Sequence, residues 1–195
     1  MRDEIVAAAE RILEREGDED AITLRSVARE AGISAPSIYA HFADRDAIVE
    51  AVLDIAFDRL HALVIEIVSA LPDDVDPVVL LLTGCRAYCD FAQREPARYR
   101  VLFGRSRDTR LDPTAPQDAP RSPRRLESFQ VLADSLAACV AAGRSDSTDP
   151  FADATTLWTS MHGAVMLRQS APSFPWPPFH ETVDAIALRI ARIRE

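Results

Sequence analysis

The segment from Leu24 to Phe42, LRSVAREAGISAPSIYAHF, holds the side chains of this chain best placed to do chemistry. Ser37, Tyr39 and His41 alternate along its second half, and Ser34, Ala35 and Pro36 precede them. Ser34, Ser37, Tyr39 and His41 carry short or planar hydrogen-bonding groups, and no carboxylate lies in the run. An enzyme would need a recognisable catalytic arrangement somewhere in the chain. There is no Ser-His-Asp order, no phosphate loop and no metal-spaced cluster, and His41, His61, His162 and His180 are far apart and share no helix face. No catalytic residue, metal or cofactor is therefore expected. The chemistry that remains is recognition: hydrogen bonds offered from an exposed, acid-free surface.

The elements that must position that surface are two short helices. Thr23 is a good N-cap for a helix over Leu24–Ala31, and Ile22 and Val27 are spaced for a hydrophobic staple around it. Ser34 is a second N-cap, with Ile33 and Ile38 as the same pair. Between them Gly32 can adopt a left-handed conformation without steric cost, and Ala28 is small where the second helix must cross the first. The spacing reads as a helix-turn-helix. A helix that enters a DNA groove needs an acid-free face and a positive N-terminus near phosphate. Local charge agrees. From Thr23 to Arg45 there are three arginines against Glu30 and Asp44. The first 50 residues together hold six arginines against twelve acids, five of them between Glu14 and Asp20, and these should face away from DNA.

The whole chain is acidic, with 22 basic residues, all arginine, against 31 acidic ones and a net charge of −9. It has no global attraction to nucleic acid or to an anionic membrane, so any DNA contact must be local. No basic segment followed by an apolar run opens the sequence, and apolar runs such as Val78 to Leu82 are too short to span a bilayer. A cytoplasmic protein with no membrane partner is expected. Cys85, Cys89 and Cys139 are odd in number and lack metal-type spacing, and they read as small buried thiols.

Helical periodicity runs throughout and strand signals are almost absent. A first helix carries Ile5, Ala8, Ala9, Ile12 and Leu13 and stops at Gly17. A long helix from Asp44 ends before Pro72. Further helices are expected from about Pro77 to Arg94, where VVLLL suggests central burial, and from Pro96 over ARYRVLFG. After a loop from Arg105 to Pro123, three more follow: Arg124–Ala142, Pro150–Gln169 and Phe179–Arg194. The fold class is all-α. Residues 1–47 form a helix-turn-helix domain and residues 48–195 a helical ligand-binding and dimerisation domain.

From about Ile5 to Leu53 the chain resembles the TetR family of bacterial transcriptional regulators, through TLRSVAREAGIS, SIYAHF and DRDAIVEAVL. The resemblance implies an all-α homodimer that binds a double-stranded, palindromic DNA operator through its N-terminal domains and a small-molecule inducer through its C-terminal ones. It implies phosphate contacts from Thr23 and Arg25, contacts to bases and backbone from Ser34, Ala35, Pro36 and Ser37, a backbone contact from Tyr39, and a place beside it for His41. Arg45 stands where relatives carry a lysine that clamps a phosphate. Many relatives have Lys, Arg or Gly in place of Ala35 and Pro36. An Ala-Pro start offers fewer hydrogen bonds to bases. The segments EPARYRVLFG and LWTSMHGAVML, with Trp158, His162 and Gly163, resemble the markers of a Trp-His-Gly subgroup.

In the C-terminal half two apolar stripes stand out. One is Phe151, Ala154, Leu157, Trp158, Met161, Ala164 and Val165. The other is Val183, Ile186, Ala187, Ile190 and Ile193. The two helices could pair with their copies in a four-helix bundle. Tyr88, Phe91, Tyr99, Phe103, Phe129, Trp158, Met161 and His162 are the candidates for a ligand site, which would take an apolar or aromatic small molecule with one or two polar groups. The function expected is that of a repressor released by such a ligand. The alternative is an all-helical adaptor that binds small molecules without binding DNA.

Overall fold

The computed structural model describes residues 1–72, 74–104 and 123–194. Their regular structure is helical, as the periodicity requires: α1 (Arg2–Glu16), a 3-10 turn (Glu19–Ala21), α2 (Leu24–Ala31), α3 (Ala35–Ile38), α4 (Arg45–Ser69), α5 (Pro77–Arg94), α6 (Pro96–Gly104), α7 (Pro123–Ala141), α8 (Pro150–Ser170) and α9 (Phe179–Ile190). Pro123 opens α7, and the rest of the expected loop from Arg105 lies outside the described residues. The chain divides into two compact units. The first joins Met1–Arg59 to the segment that begins at Glu95 and carries α6. The second joins Leu60–Arg94 to the chain from Pro123 onward. The expected boundary at residue 47 falls inside α4, and the compact unit around the helix-turn-helix runs on to Arg59 and takes in α6.

In the first unit the buried face of α1, with Ile5, Ala8, Ala9, Ile12 and Leu13, packs on α2 and on the 3-10 turn. Val27, Ala28, Ile38, Phe42, Ile48, Val49 and Val52 complete the core. Fully burying one such aliphatic side chain contributes about 1.5–3 kcal/mol, so this core is what holds the short helices in place. Gly17 ends α1 at φ 72°, and its N–H closes onto the Leu13 carbonyl. Arg100 of α6 donates to the Gly17 carbonyl at 2.9 Å, and Arg98 of α6 pairs with Glu14 of α1.

In the second unit α5 packs against α7, α8 and α9, and α8 against α7 and α9. Leu81, Cys85, Cys89, Phe91, Leu136, Cys139, Leu157, Met161, Val165, Val183 and Ala187 fill its core. The three thiols are free and buried. Burial pushes the Cys85 thiol up to about 12 and the Cys139 thiol up to about 11, so both are protonated and inert. Arg86 of α5 grips Asp184 of α9 with two hydrogen bonds, one of 2.7 Å from Nε to Oδ1.

Three expectations need correction here. VVLLL is not buried all round: Val78 and Leu81 face the core, but Val79 is 44% exposed. The apolar stripes of α8 and α9 are largely core within one chain, since Ala154, Leu157, Met161, Val165, Val183 and Ala187 are all buried, while Phe151 stands 58% exposed. The last helix stops at Ile190 rather than Arg194. Its carbonyl ends are taken up elsewhere: the Ser145 hydroxyl donates to the Ala191 carbonyl at 2.6 Å, Arg192 turns to φ 50°, and Ile193 bridges Ser145. Among the described residues no helix is long and apolar enough to cross a membrane.

The turn between α2 and α3 gives a direct test. Gly32 sits at φ 69°, and a Cβ built there meets no atom within 4 Å. The cost of Gly32→Ala is therefore conformational alone, about 1–2 kcal/mol for an L-residue held left-handed. Urea denaturation should show that loss with an unchanged m-value.

Candidate functional site

The recognition surface is built from the caps outward. The Thr23 hydroxyl accepts from the Ser26 N–H at 3.0 Å, while the Ser26 hydroxyl accepts from the Thr23 N–H at 2.9 Å, a reciprocal capping box. Ser26 also donates to the Ala21 carbonyl, which ties α2 to the preceding 3-10 turn. At the other end Gly32 donates back to the carbonyls of Ala28 and Arg29, and the Ile33 N–H reaches the Ala28 carbonyl. The chain has then reversed, and Ile38 and Phe42 are drawn into the core.

The second helix is shorter than SIYAHF implies. Regular α-helix covers only Ala35–Ile38. Tyr39 and His41 lie on the turns that follow, where Tyr39 N–H bonds to Pro36 and His41 N–H to Ile38, each three residues back. Ser34 occupies the N-cap position, but its hydroxyl bonds the Ser37 hydroxyl at 2.7 Å instead of a backbone N–H. With Ile38 and Phe42 anchored, the intervening residues point outward. Ser34, Pro36, Ser37, Tyr39 and His41 are exposed, Tyr39 to 60%, and Ala35 is half-buried. Thr23 and Arg25 at the start of α2 are exposed as well.

Arg45 is placed differently from an outward clamp. Its Nε donates to the Ile22 carbonyl at 2.6 Å and its Nη2 to the Glu19 carbonyl at 2.7 Å. It thereby ties the start of α4 to the 3-10 turn, while Asp44 caps α4 by accepting from the Ala47 N–H at 2.8 Å. The carboxylate of α2 is also accounted for. Glu30 turns toward α1, where Arg11 reaches it at 2.9 Å and Arg15 at 3.1 Å. Hydrogen bonds from Arg11, then Arg15, hold its carboxyl below the usual carboxylate range.

The ligand candidates separate into three groups. Phe103 belongs to the first unit, where it packs on Tyr99 at 4.8 Å and edge-on to Phe57 at 5.9 Å. Phe91 and Met161 are sealed in the core of the second unit, at 2% and 1% exposure, and Tyr99 is fully buried in that of the first. Tyr88, Phe129, Trp158 and His162 come together at the surface of that second core. The Trp158 indole donates to the Tyr88 hydroxyl at 3.2 Å, Phe129 meets Trp158 edge-on at 6.2 Å, and His162 lies 6.4 Å from the Trp158 ring. All four are half-buried. Burial lowers the His162 pKa from its ordinary value.

Comparison with known proteins agrees with this layout. Residues 5–52 match the family described as "Bacterial regulatory proteins, tetR family", and residues 81–190 match "Tetracyclin repressor-like, C-terminal domain". The chain belongs to the TetR family. It is a transcriptional regulator with an N-terminal DNA-binding domain and a C-terminal ligand-binding domain. The fold is similar to that of a protein of unknown function from Rhodococcus sp. RHA1, 26% identical, with a TM-score of 0.76 over 98% of this chain and 93% of that one. A tetR-family regulatory protein from Rhodococcus RHA1 is 19% identical, with a TM-score of 0.70 over 100% of this chain and 98% of that one. PfmR, a TetR family transcriptional regulator from Thermus thermophilus, is 18% identical, with a TM-score of 0.64 over 97% of this chain and 98% of that one. No curated protein matches the sequence.

Some residues that shape this TetR-family site escaped the sequence reading. Ser26 completes the capping box with a serine where Glu or Gln is usual, so the pattern carried a weak signal. The pairing of Glu30 with Arg11 and Arg15 joins residues 19 and 15 positions apart, which no local spacing announces. His162 offers a test of the aromatic cluster. Its folded pKa is depressed below the ordinary 6.5. Above pH 6.5 the imidazole is neutral whether the chain is folded or not; below it the unfolded chain takes up a proton that the folded one resists. Stability should therefore fall as pH drops from 6.5 toward the folded pKa, and His162→Gln should flatten that part of a urea-denaturation pH series.

Proposed function

We propose that this protein is a repressor that binds a palindromic operator as a homodimer and leaves it when a small, mostly apolar ligand binds the C-terminal domain. The observation that carries this reading is the exposed run Ser37, Tyr39 and His41, held out from the core by Ile38 and Phe42 with no carboxylate beside it. In this reading Ser34, Ala35, Pro36 and Ser37 meet bases and backbone in the major groove. Tyr39 and His41 flank them, and Thr23 and Arg25 meet phosphate at the N-terminus of α2, where the helix dipole favours anions. One such module makes few contacts. Two copies set about 34–36 Å apart, one DNA turn, supply specific affinity, which is why the dimer belongs to the function.

A surface suited to that dimer lies on α8, on the side away from its core stripe. Phe151, Thr155, Thr159, Gly163 and Leu167 recur every four residues as one ridge, large at its ends and small between. Thr155, Thr156, Thr159 and Ser160 each donate to the carbonyl four residues back, at 2.8–3.0 Å. Their hydroxyls are satisfied within the helix, so this face can be covered without stranding a donor. A Cβ at Gly163 meets nothing within 4 Å, which leaves room for a close helix–helix approach. The cluster of Tyr88, Phe129, Trp158 and His162 supports a ligand that is flat and apolar with a polar group. Trp158, His162 and Gly163 on α8 support assignment to the Trp-His-Gly subgroup.

Titration of the purified protein against its own upstream DNA, at two salt concentrations, tests the reading. Expected are preference for an inverted repeat and weaker binding at higher salt. Loss of all DNA retention at low salt would instead favour the adaptor. Ser37→Ala or Tyr39→Phe should weaken operator binding by about 1–3 kcal/mol while leaving the fold intact by circular dichroism. Gly163→Arg should convert the dimer to a folded monomer in sedimentation equilibrium. A Gly163→Arg protein that stays dimeric would rule out the α8 ridge as the interface.

A further inference from the structure

The described arginines of the first unit fall into two classes. Arg11 and Arg15 are held by Glu30, Arg59 lies 3.2 Å from Glu10, and Arg98 pairs with Glu14 and Glu95. Arg100 donates to the Gly17 carbonyl, and Arg45 is engaged by two backbone carbonyls. Arg2, Arg25 and Arg29 have no carboxylate partner among the described residues, and all three are exposed. Arg25 and Arg29 are four apart on α2 and so share one face. Glu30, the one acid of α2, is turned to α1 and neutralised there. Arg2 stands over the ring of Phe42, the residue that closes the turns after α3, with its guanidinium carbon 4.8 Å from the ring centre. The free cations thus sit on the helix before α3 and on the residue that ends its exposed run.

We infer that Arg29 and Arg2, together with Arg25, supply the electrostatic grip on the DNA backbone, and that Arg45 is a positioning residue that does not contact phosphate. The assignment rests on the DNA-binding reading above. Its physical ground is the state of each guanidinium. A phosphate contact needs donors aimed at solvent before DNA arrives, and an arginine with no partner to give up releases counterions at no structural cost. Arg45 spends Nε and Nη2 on carbonyls at 2.6 and 2.7 Å, and its Nη1 and Nη2 also lie 3.5 Å from Asp46 and 3.4 Å from Asp20, so a phosphate would have to displace acceptors the guanidinium already has. Arg2 is also preorganised. Its guanidinium lies over an aromatic that is itself fixed in the core, so its heading is set by the same residue that ends the recognition turns.

Backbone contacts do not depend on base sequence, so a mixed-sequence DNA duplex serves as the probe without knowledge of the operator. Binding of the full chain is measured across a salt series for the parent and for Arg2→Gln, Arg29→Gln and Arg45→Gln. Arg2→Gln and Arg29→Gln should each reduce the slope of log affinity against log salt by about one unit, with unchanged thermal transitions. Arg45→Gln should lower the thermal transition and weaken binding at every salt concentration, with the parent slope. A parent slope retained by both Arg2→Gln and Arg29→Gln overturns the assignment, and so does a unit lost at Arg45. The first two substitutions are at exposed positions, so the assignment stays open to refutation even where Arg45→Gln does not fold. A parent protein that shows no salt-dependent binding to the duplex overturns the DNA-binding reading itself.

Discussion

The reversal of the chain at Gly32 constrains everything the N-terminal unit presents. Two helices joined by so short a turn must cross steeply and nearly touch. That requires a residue free to be left-handed at the corner, a small residue at the crossing and a cap on the first helix, and Gly32, Ala28 and Thr23 meet those needs in turn. Once the corner is fixed, burial of Ile38 and Phe42 decides where the residues between them point. The exposure of Tyr39 and His41 is then a consequence of anchoring on both sides, because the segment is too short and too irregular for helical periodicity to set it. A longer second helix would have rotated those side chains through successive faces.

An acidic protein that binds a polyanion faces an electrostatic conflict, and this one handles it by sorting charge rather than by carrying an excess. The net charge of −9 is no asset near DNA. Most of the described arginines of the first unit are used inward, on Glu30, on Glu10 and Glu14, and on backbone carbonyls. The solvent-exposed pairs among these contribute little stability each. Their larger effect is on the field. They neutralise carboxylates that would otherwise repel phosphate, and they leave the surface beside α3 to uncompensated cations. Screening shortens the reach of the remaining acids to about 8 Å at physiological salt, so where a charge sits matters more than the total.

Much of this was legible from residue order, for reasons that differ between elements. Helix limits at Gly17, Gly32 and Gly143 were readable because a positive φ there suits glycine far better than a residue with a Cβ. The α2 limits were readable because cap and stop signals lie next to the residues they serve. Long-range matters were hidden. The end of α9 depends on Ser145, 46 residues away from the Ala191 carbonyl it binds. The orientation of Arg45 depends on carbonyls 23 and 26 residues earlier. The apolar count of α8 correctly marked one buried stripe but could not say against which chain it packs. Only the four satisfied hydroxyls and the open space at Gly163 distinguish the other face.

The placement of α6 bears on how ligand and DNA communicate. A ligand shifts an equilibrium only by its differential affinity for two states, so some element must sense both sites. Helix α4 passes from the first unit into the second between Arg59 and Leu60, and by its length alone it looks like the sole lever. Yet α6 belongs to the first unit, tied to α1 by Arg98 on Glu14 and by Arg100 on the Gly17 carbonyl. Helix α1 in turn packs along α2, the helix that carries the Gly32 corner. A displacement of α6 therefore loads the support of the helix-turn-helix through that ion pair and that hydrogen bond. A displacement of α4 acts at its front, through the Arg45 bonds to the 3-10 turn. The two routes differ in kind. The first joins a charged pair, whose Arg98 side chain is 11% exposed, with a side-chain hydrogen bond from Arg100, while the second is set by two short hydrogen bonds to backbone.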